Sequence, residues 1–148
     1  MLVGAIMSTN PVTVERDHTV LHVARLMRER HIGAVVVVDE DGCPEGILTD
    51  RDIAVRAFQS PDPGSVPVDK IMTRNPYSAG EDTLIFDLLR EMARRKIRRV
   101  PILDSDGTII GMVSMDDVIL ILTTELGNVA EVLGAASRGL NVPGGEEE

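Results

Sequence analysis

Aromatic residues are nearly missing from this chain of 148 residues. Trp is absent, and Phe58, Tyr77 and Phe86 supply all the aromatic rings apart from three histidines. Single-strand nucleic-acid binders need stacked aromatic platforms, so the shortage argues against that class. Cysteine is limited to Cys43, so neither a disulfide framework nor a thiolate metal cluster can be built, which suits a reducing compartment. No apolar run approaches the ~18 residues of a membrane span, and Met1–Met7 has no basic stretch ahead of an apolar one. Positive charge is also short. Fifteen Lys and Arg stand against 24 Asp and Glu, a net charge of −9. That balance disfavours a nucleic-acid or anionic-membrane surface. A cytoplasmic protein is expected.

What the chain has instead is a duplication. Gly46-Ile47-Leu48-Thr49-Asp50-Arg51-Asp52 returns as Gly111-Met112-Val113-Ser114-Met115-Asp116-Asp117, offset by 65 residues. The same offset relates Asn10-Pro11 to Asn75-Pro76, Met27 to Met92, Ile32 to Ile97, and Asp39, Asp41 and Gly42 to Asp104, Asp106 and Gly107. No gap is needed from Ile6 to Asp117. Two units of about fifty ordered residues are each marginal alone, so they are expected to fold against one another.

Each unit reads the same way. Val12–Val14 is a short strand. Asp17–Arg30 has Val20, Val23, Ala24 and Met27 at i, i+3, i+4, i+7, one helical stripe. Ala34–Val38 is a β-branched run suited to a strand buried on both faces. Asp39–Gly42 is a turn in which Gly42 is free to take positive φ, Gly46–Thr49 is the partner strand, and Asp50–Phe58 is a helix. The second unit repeats this with a helical turn at Val68–Met72, a helix at Asp82–Lys96, strands at Val100–Leu103 and Ile109–Ser114, and a last helix from near Asp116 to about Ala136. The last helix carries Val118, Ile119, Ile121, Leu122, Leu126, Val129, Val132 and Leu133, more apolar surface than one stripe, and so wants a second partner surface. Residues 1–64 form the first repeat and 65–138 the second. Residues 139–148, ending in three glutamates after Pro143-Gly144-Gly145, read as a disordered acidic tail.

The two motifs, Gly-apolar-apolar-Ser/Thr-x-x-Asp in register, together with His31–Asp39 and Ile97–Asp104 ahead of them, resemble a tandem cystathionine-β-synthase (CBS) domain pair, or Bateman module. The likeness extends from residue 6 to about 124 and is closest to stand-alone pairs. It implies an α/β (α+β) fold of two pseudo-symmetric β-α-β-β-α repeats, packed sheet to sheet about a pseudo-twofold axis. It further implies two clefts that take adenine nucleotides (AMP, ADP, ATP) or S-adenosylmethionine as regulatory ligands, and a homodimer acting on an unknown protein target.

Thr49 to Asp52 and Ser114 to Asp117 have two readings. One is a helix capping box. The other is a nucleotide site in which the hydroxyl bonds a phosphate at a helix start and the carboxylate, which only accepts, takes the ribose diol. Both can hold at once. By the resemblance, the Thr49/Asp52 cleft is completed by Thr83, Leu88, Arg98 and Arg99, and the Ser114/Asp117 cleft by His18, Val23, Gly33 and Ala34. Arg98 and Arg99 correspond to uncharged Gly33 and Ala34, so the clefts differ in charge. His18 and His22 are four apart, yet no third ligand completes a zinc set. No nucleophile–base pair, phosphate loop or dinucleotide-binding glycine pattern is present, so no catalytic residue and no metal is assigned. The competing reading is a non-enzymatic structural or oligomerisation module with vestigial clefts.

Overall fold

The computed structural model describes residues 1–138; the expected acidic tail, 139–148, lies outside them. Two compact units are present, Met1–Ser114 and the chain from Met115 onward.

The first unit holds two four-stranded sheets. Its elements are β1 (Ser8–Thr9), β2 (Thr13–Glu15), α1 (Val20–Arg30), β3 (Ala34–Val38), β4 (Pro44–Thr49), α2 (Asp50–Arg56), β5 (Thr73–Arg74), β6 (Ala79–Gly80), α3 (Ile85–Arg95), β7 (Arg99–Leu103) and β8 (Ile109–Ser114). One sheet has the order β2-β3-β4-β5 and the other β1-β8-β7-β6. β2 runs parallel to β3, and β6 to β7; every other pairing is antiparallel. The two orders are the same under the 65-residue offset, with one exchange. β5 opens the second repeat but pairs with β4 of the first, and β1 opens the first repeat but pairs with β8 of the second.

The exchange extends beyond the strands. Val3 N–H donates to Thr83 O (2.8 Å) and Gly4 N–H to Glu81 O (2.8 Å). In mirror fashion, Val68 N–H donates to His18 O (2.9 Å). Val68, Ile71 and Met72 complete the core formed by Val14, Val20, Val23, Met27, Val35, Val37 and Leu48. Each half therefore closes its core with the lead-in of the other, and the sheets do not follow the 64/65 repeat boundary. Neither half buries its own apolar surface without the other's segment.

The central strands are buried as their β-branched runs require: Val35, Val36 and Val37 have no exposed surface, and neither do Val100 and Ile102. α1 starts at Val20, where its apolar stripe begins, three residues later than the expected Asp17. Glu15 N–H donates to His18 Nδ1 and His18 N–H returns to Glu15 O, which fixes a turn, and Thr19 Oγ1 then caps the helix by accepting from His22 N–H. α3 likewise begins at Ile85 rather than Asp82, after the turn in which Thr83 N–H donates to Gly80 O. α2 ends at Arg56, and the chain tightens into a 3₁₀ turn over Ala57–Gln59. Gly42 and Gly107 take φ of 78° and 85°, as their turns demand.

The second unit is α4, Met115–Arg138, a helix of 24 residues. It exceeds its counterpart α2 by more than three turns.

Candidate functional site

The first motif lies where β4 passes into α2 without a linking residue. Thr49 is the N-cap. Its Oγ1 accepts from Asp52 N–H (3.2 Å) and donates to Asp52 Oδ2 (2.9 Å), while Thr49 N–H also donates to Oδ2 (2.9 Å). The capping box is therefore closed. Asp52 Oδ2 holds two donors, and Oδ1 faces Arg56 Nε at 3.7 Å. The hydroxyl proton of Thr49 is already spent on the carboxylate, so a phosphate oxygen could take it only if the hydroxyl turned. The free lone pairs of Oδ1 are the part of Asp52 open to a diol.

Arg99 brings a cation to this motif from the opposite sheet. Its backbone pairs with Ser114 at the start of β7, just as Ala34 pairs with Thr49 at the start of β3. Its side chain reaches away from that strand. A Cβ built on Gly33 would stand 3.2 Å from Arg99 Nη2 and 3.2 Å from Asp50 Oδ2. Asp50 in turn receives Arg51 N–H on Oδ1 (2.9 Å), and its own N–H donates to Gly33 O (3.1 Å). Gly33, Asp50 and Arg99 thus meet at one point, with Thr49 and Asp52 on the same helix start. Among the described residues Arg99 closes no salt bridge. Gly33, expected in the cleft of the second motif, is placed beside the guanidinium expected in the first.

The other expected residues divide by burial. Val23 and Leu88 have no accessible surface. They belong to the cores beneath α1 and α3, where a ligand touches them only if the packing opens. Thr83 is half-buried, and its carbonyl anchors Val3. His18 is half-buried, accepts from Glu15 N–H through Nδ1 (3.0 Å), and stacks on His22 with ring centroids 4.4 Å apart. His18 therefore sits ahead of α1 rather than on it, and its lone pair on Nδ1 is occupied. Arg98 is exposed. Ser114 closes the first unit and Asp117 lies in the first turn of α4; Arg98, Ser114 and Asp117 each have an interaction partner.

Two further features bear on chemistry. A cavity of about 680 Å³ is lined by Glu15, Asp17, Asp39, Glu40, Asp41 and Glu45, with Arg16 and Val38. Arg16 lies 3.6 Å from Glu45 Oε1, while Oε2 is buried without a hydrogen bond. Six carboxylates against one guanidinium repel a phosphate, and none of these residues belongs to the expected set. The two turns also meet: Ile109 N–H donates to Gly42 O (3.1 Å). Cys43 sits there with its thiol pKa raised by burial first, then by Asp39, Asp41 and Asp104, so it is held as the unreactive thiol. Among the described residues no group of three or more His, Cys, Asp or Glu is placed to hold a metal.

A family model described as the CBS domain matches the chain twice, over residues 3–57 and 68–124. The chain is 34% identical over 118 residues to protein MK0525 of Methanopyrus kandleri, covering 79% of this chain but 60% of that protein. It is 36% identical over 111 residues to the CBS domain-containing protein YhcV of Bacillus subtilis, covering 75% of this chain and 78% of that one. Among solved structures, the CBS domain pair of protein MJ0100, in complex with 5′-methylthioadenosine and S-adenosyl-L-methionine, superposes with a TM-score of 0.77. Its identity is 28%, over 84% of this chain and 98% of that one. With two matched copies, a mixed α/β fold and two equivalent sheets that exchange their lead-in strands, this chain belongs to the CBS-domain family and carries the domain as a tandem pair.

Proposed function

We propose that the chain is a regulatory module that senses an adenosine compound, either an adenine nucleotide (AMP, ADP or ATP) or S-adenosylmethionine, and relays its binding to a protein target. The observation that supports this reading most is Arg99. One repeat supplies the hydroxyl and carboxylate of Thr49 and Asp52, and the other sends a guanidinium to the same point beside Gly33 and Asp50. A guanidinium pairs with phosphate oxygens in a fork, and Asp52 Oδ1 remains to accept from a ribose hydroxyl. A ligand held by both repeats couples them, and it shifts their arrangement only by its difference in affinity for the two arrangements. The 5′-methylthioadenosine and S-adenosyl-L-methionine bound by the MJ0100 pair belong to the same ligand class. The module is regulatory rather than catalytic in this reading. It works in the cytoplasm as a homodimer, because the exposed apolar length of α4 needs a second surface.

The alternative, an interaction module with vestigial clefts, is favoured by the closed capping box, which satisfies Thr49 and Asp52 with no ligand. A thermal-shift panel of AMP, ADP, ATP and S-adenosylmethionine separates the two. Binding to the folded state adds RT ln(1 + [L]/Kd), about 2.7 kcal/mol at a hundredfold excess over Kd. A panel without any shift removes the sensing role and leaves the interaction module.

A further inference from the structure

Opposite charges flank the bare face of Gly33 without joining. A Cβ built there would have Arg99 Nη2 and Asp50 Oδ2 as its nearest atoms, each at 3.2 Å, with Asp50 Cγ next at 3.6 Å. Among the described residues the guanidinium and the carboxylate form no salt bridge with one another. Asp50 is held in place by two bonds. Its N–H donates to Gly33 O (3.1 Å), and its Oδ1 accepts from Arg51 N–H (2.9 Å), which leaves Oδ2 as the oxygen on the Arg99 side. Asp52, by contrast, faces a cation of its own in Arg56, at 3.7 Å. Arg99 is half-buried, whereas Asp50 is exposed. The attracting charge therefore lies deeper than the repelling one. The second motif lacks this arrangement, because the 65-residue offset puts Met115 in place of Asp50, Arg98 in place of Gly33 and Ala34 in place of Arg99.

We propose that Asp50 limits how many phosphoryl groups this cleft accepts, so that it prefers adenosine monophosphate to the di- and triphosphate. This rests on the adenosine-sensing reading and names the ligand within it. A guanidinium fork pairs with one phosphoryl group, and Arg99 supplies one fork at this point. Phosphoryl groups further along the chain add negative charge beside Asp50 Oδ2, and like charges at short range disfavour binding. Because Asp50 is exposed, solvent moderates that repulsion, and it tunes the preference between nucleotides rather than forbidding one of them. A divalent cation on the phosphates would cancel the excess charge, so the effect is read in its absence.

The test is isothermal titration of the full chain with adenosine, AMP, ADP and ATP in EDTA, at low and at high salt. Asp50→Asn keeps the shape and an oxygen for Arg51 N–H but loses the charge. The parent chain is expected to bind AMP more tightly than ATP. Asp50→Asn should tighten ATP more than AMP and leave adenosine unchanged, narrowing the ratio of the two affinities by about three- to tenfold. High salt should shrink that change. Asp106→Asn is the control: it removes the same charge from the turn at the far end of β7 from Arg99, and should leave the ratio alone. If Asp50→Asn fails to fold by circular dichroism, Asp50→Ser, whose hydroxyl can still accept from Arg51 N–H, serves in its place with the same expectation. A ratio that does not move in Asp50→Asn, or that moves equally in Asp106→Asn, overturns the role of Asp50 and leaves the sensing reading standing. Loss of S-adenosylmethionine binding in Asp50→Asn with an unchanged nucleotide ratio does the same, since it would assign the carboxylate to an ammonium group. A parent chain that binds no adenosine compound overturns both.

Discussion

The guanidinium of Arg99 lies against the α-carbon of Gly33, so close that any side chain at Gly33 would stand 3.2 Å from Nη2. The pair joins the two repeats, and it fixes where the positive charge goes. Arg99 is tied by its backbone to Ser114, yet its charge is delivered beside Asp50 at the start of α2.

Arg99→Ala should therefore weaken binding of a phosphorylated adenosine. A hydrogen bond to a charged group contributes roughly 1.5–3 kcal/mol, which corresponds to about ten- to a hundredfold in affinity. Gly33→Val should act in the same direction by displacing the guanidinium, with little effect on an uncharged adenosine compound. Isothermal titration with ATP and with adenosine measures both. Equal losses for the two ligands would show that Arg99 does not read the phosphate.

Asp52 and Asp117 occupy the same place in their repeats, and the guanidinium of Arg99 is placed at the start of α2, the helix that carries Asp52. Asp52→Ala is expected to abolish high-affinity nucleotide binding, and Asp117→Ala to leave most of it. Asp52 also closes a capping box, so its loss carries a stability cost of about 1 kcal/mol that must be measured apart by denaturant unfolding. Calorimetry in which Asp117→Ala does the greater harm reverses the assignment of the charged cleft.

The duplication was legible because the repeat is ungapped, and the strands were legible because their β-branched runs are buried on both faces. Ile109–Ser114 and the turns at Gly42 and Gly107 emerge where their residues point. The exchange of β1 and β5 was not legible. Two-residue strands such as Ser8–Thr9 carry no periodicity, and they pair opposite Gly111 and Gly46, positions that no apolar pattern marks. Nor does spacing reveal that Val23 and Leu88 are spent on the core, since a core stripe and a cleft wall share the same apolar pattern. Gly33 beside Arg99 could have been anticipated from one signal. Position 33 is glycine where its repeat partner is Arg98, and the absence of a side chain leaves room for one arriving from across the interface.

The exchanged lead-ins depend on two glycines. A Cβ on Gly111 would stand 2.6 Å from Met7 Sδ and 3.0 Å from Ser8 O, and one on Gly46 would stand 3.1 Å from Thr73 O and crowd Met72. Gly111→Ala should push β1 off β8, and Gly46→Ala should push β5 off β4. Each is expected to cost about 1–3 kcal/mol, the range for overpacking a well-filled site. Hydrogen exchange on Gly111→Ala should show faster exchange at the β1–β8 pairing and little change at β2–β3. Unaltered protection at β1–β8 would mean the methionine simply moves aside.

Glu91 is a carboxylate of α3 held well below its usual range by two arginines. Its carboxylate accepts from Arg94 Nε (3.1 Å) and Nη2 (2.7 Å), and from Arg95 Nε (2.8 Å), one helical turn further on. The hydrogen bond from Arg94 is the largest cause and that from Arg95 the next, and together they lower the Glu91 pKa from 4.5 to about 2. A carboxyl whose folded pKa lies below its unfolded value favours the native state above the unfolded pKa. That contribution is complete above pH 4.5 and is lost as pH falls from there toward 2. The groups are on the surface, so the effect is modest and weakens with salt. Glu91→Gln removes the ionisation while keeping the shape. Its melting temperature should lie below that of the parent chain at neutral pH, with the gap closing as pH drops through the window between 4.5 and 2. Arg95 also covers the Tyr77 ring at 4.5 Å, a contact that should persist in both proteins. A gap that stays constant across the window would place the lost stability in packing rather than in the charge of Glu91.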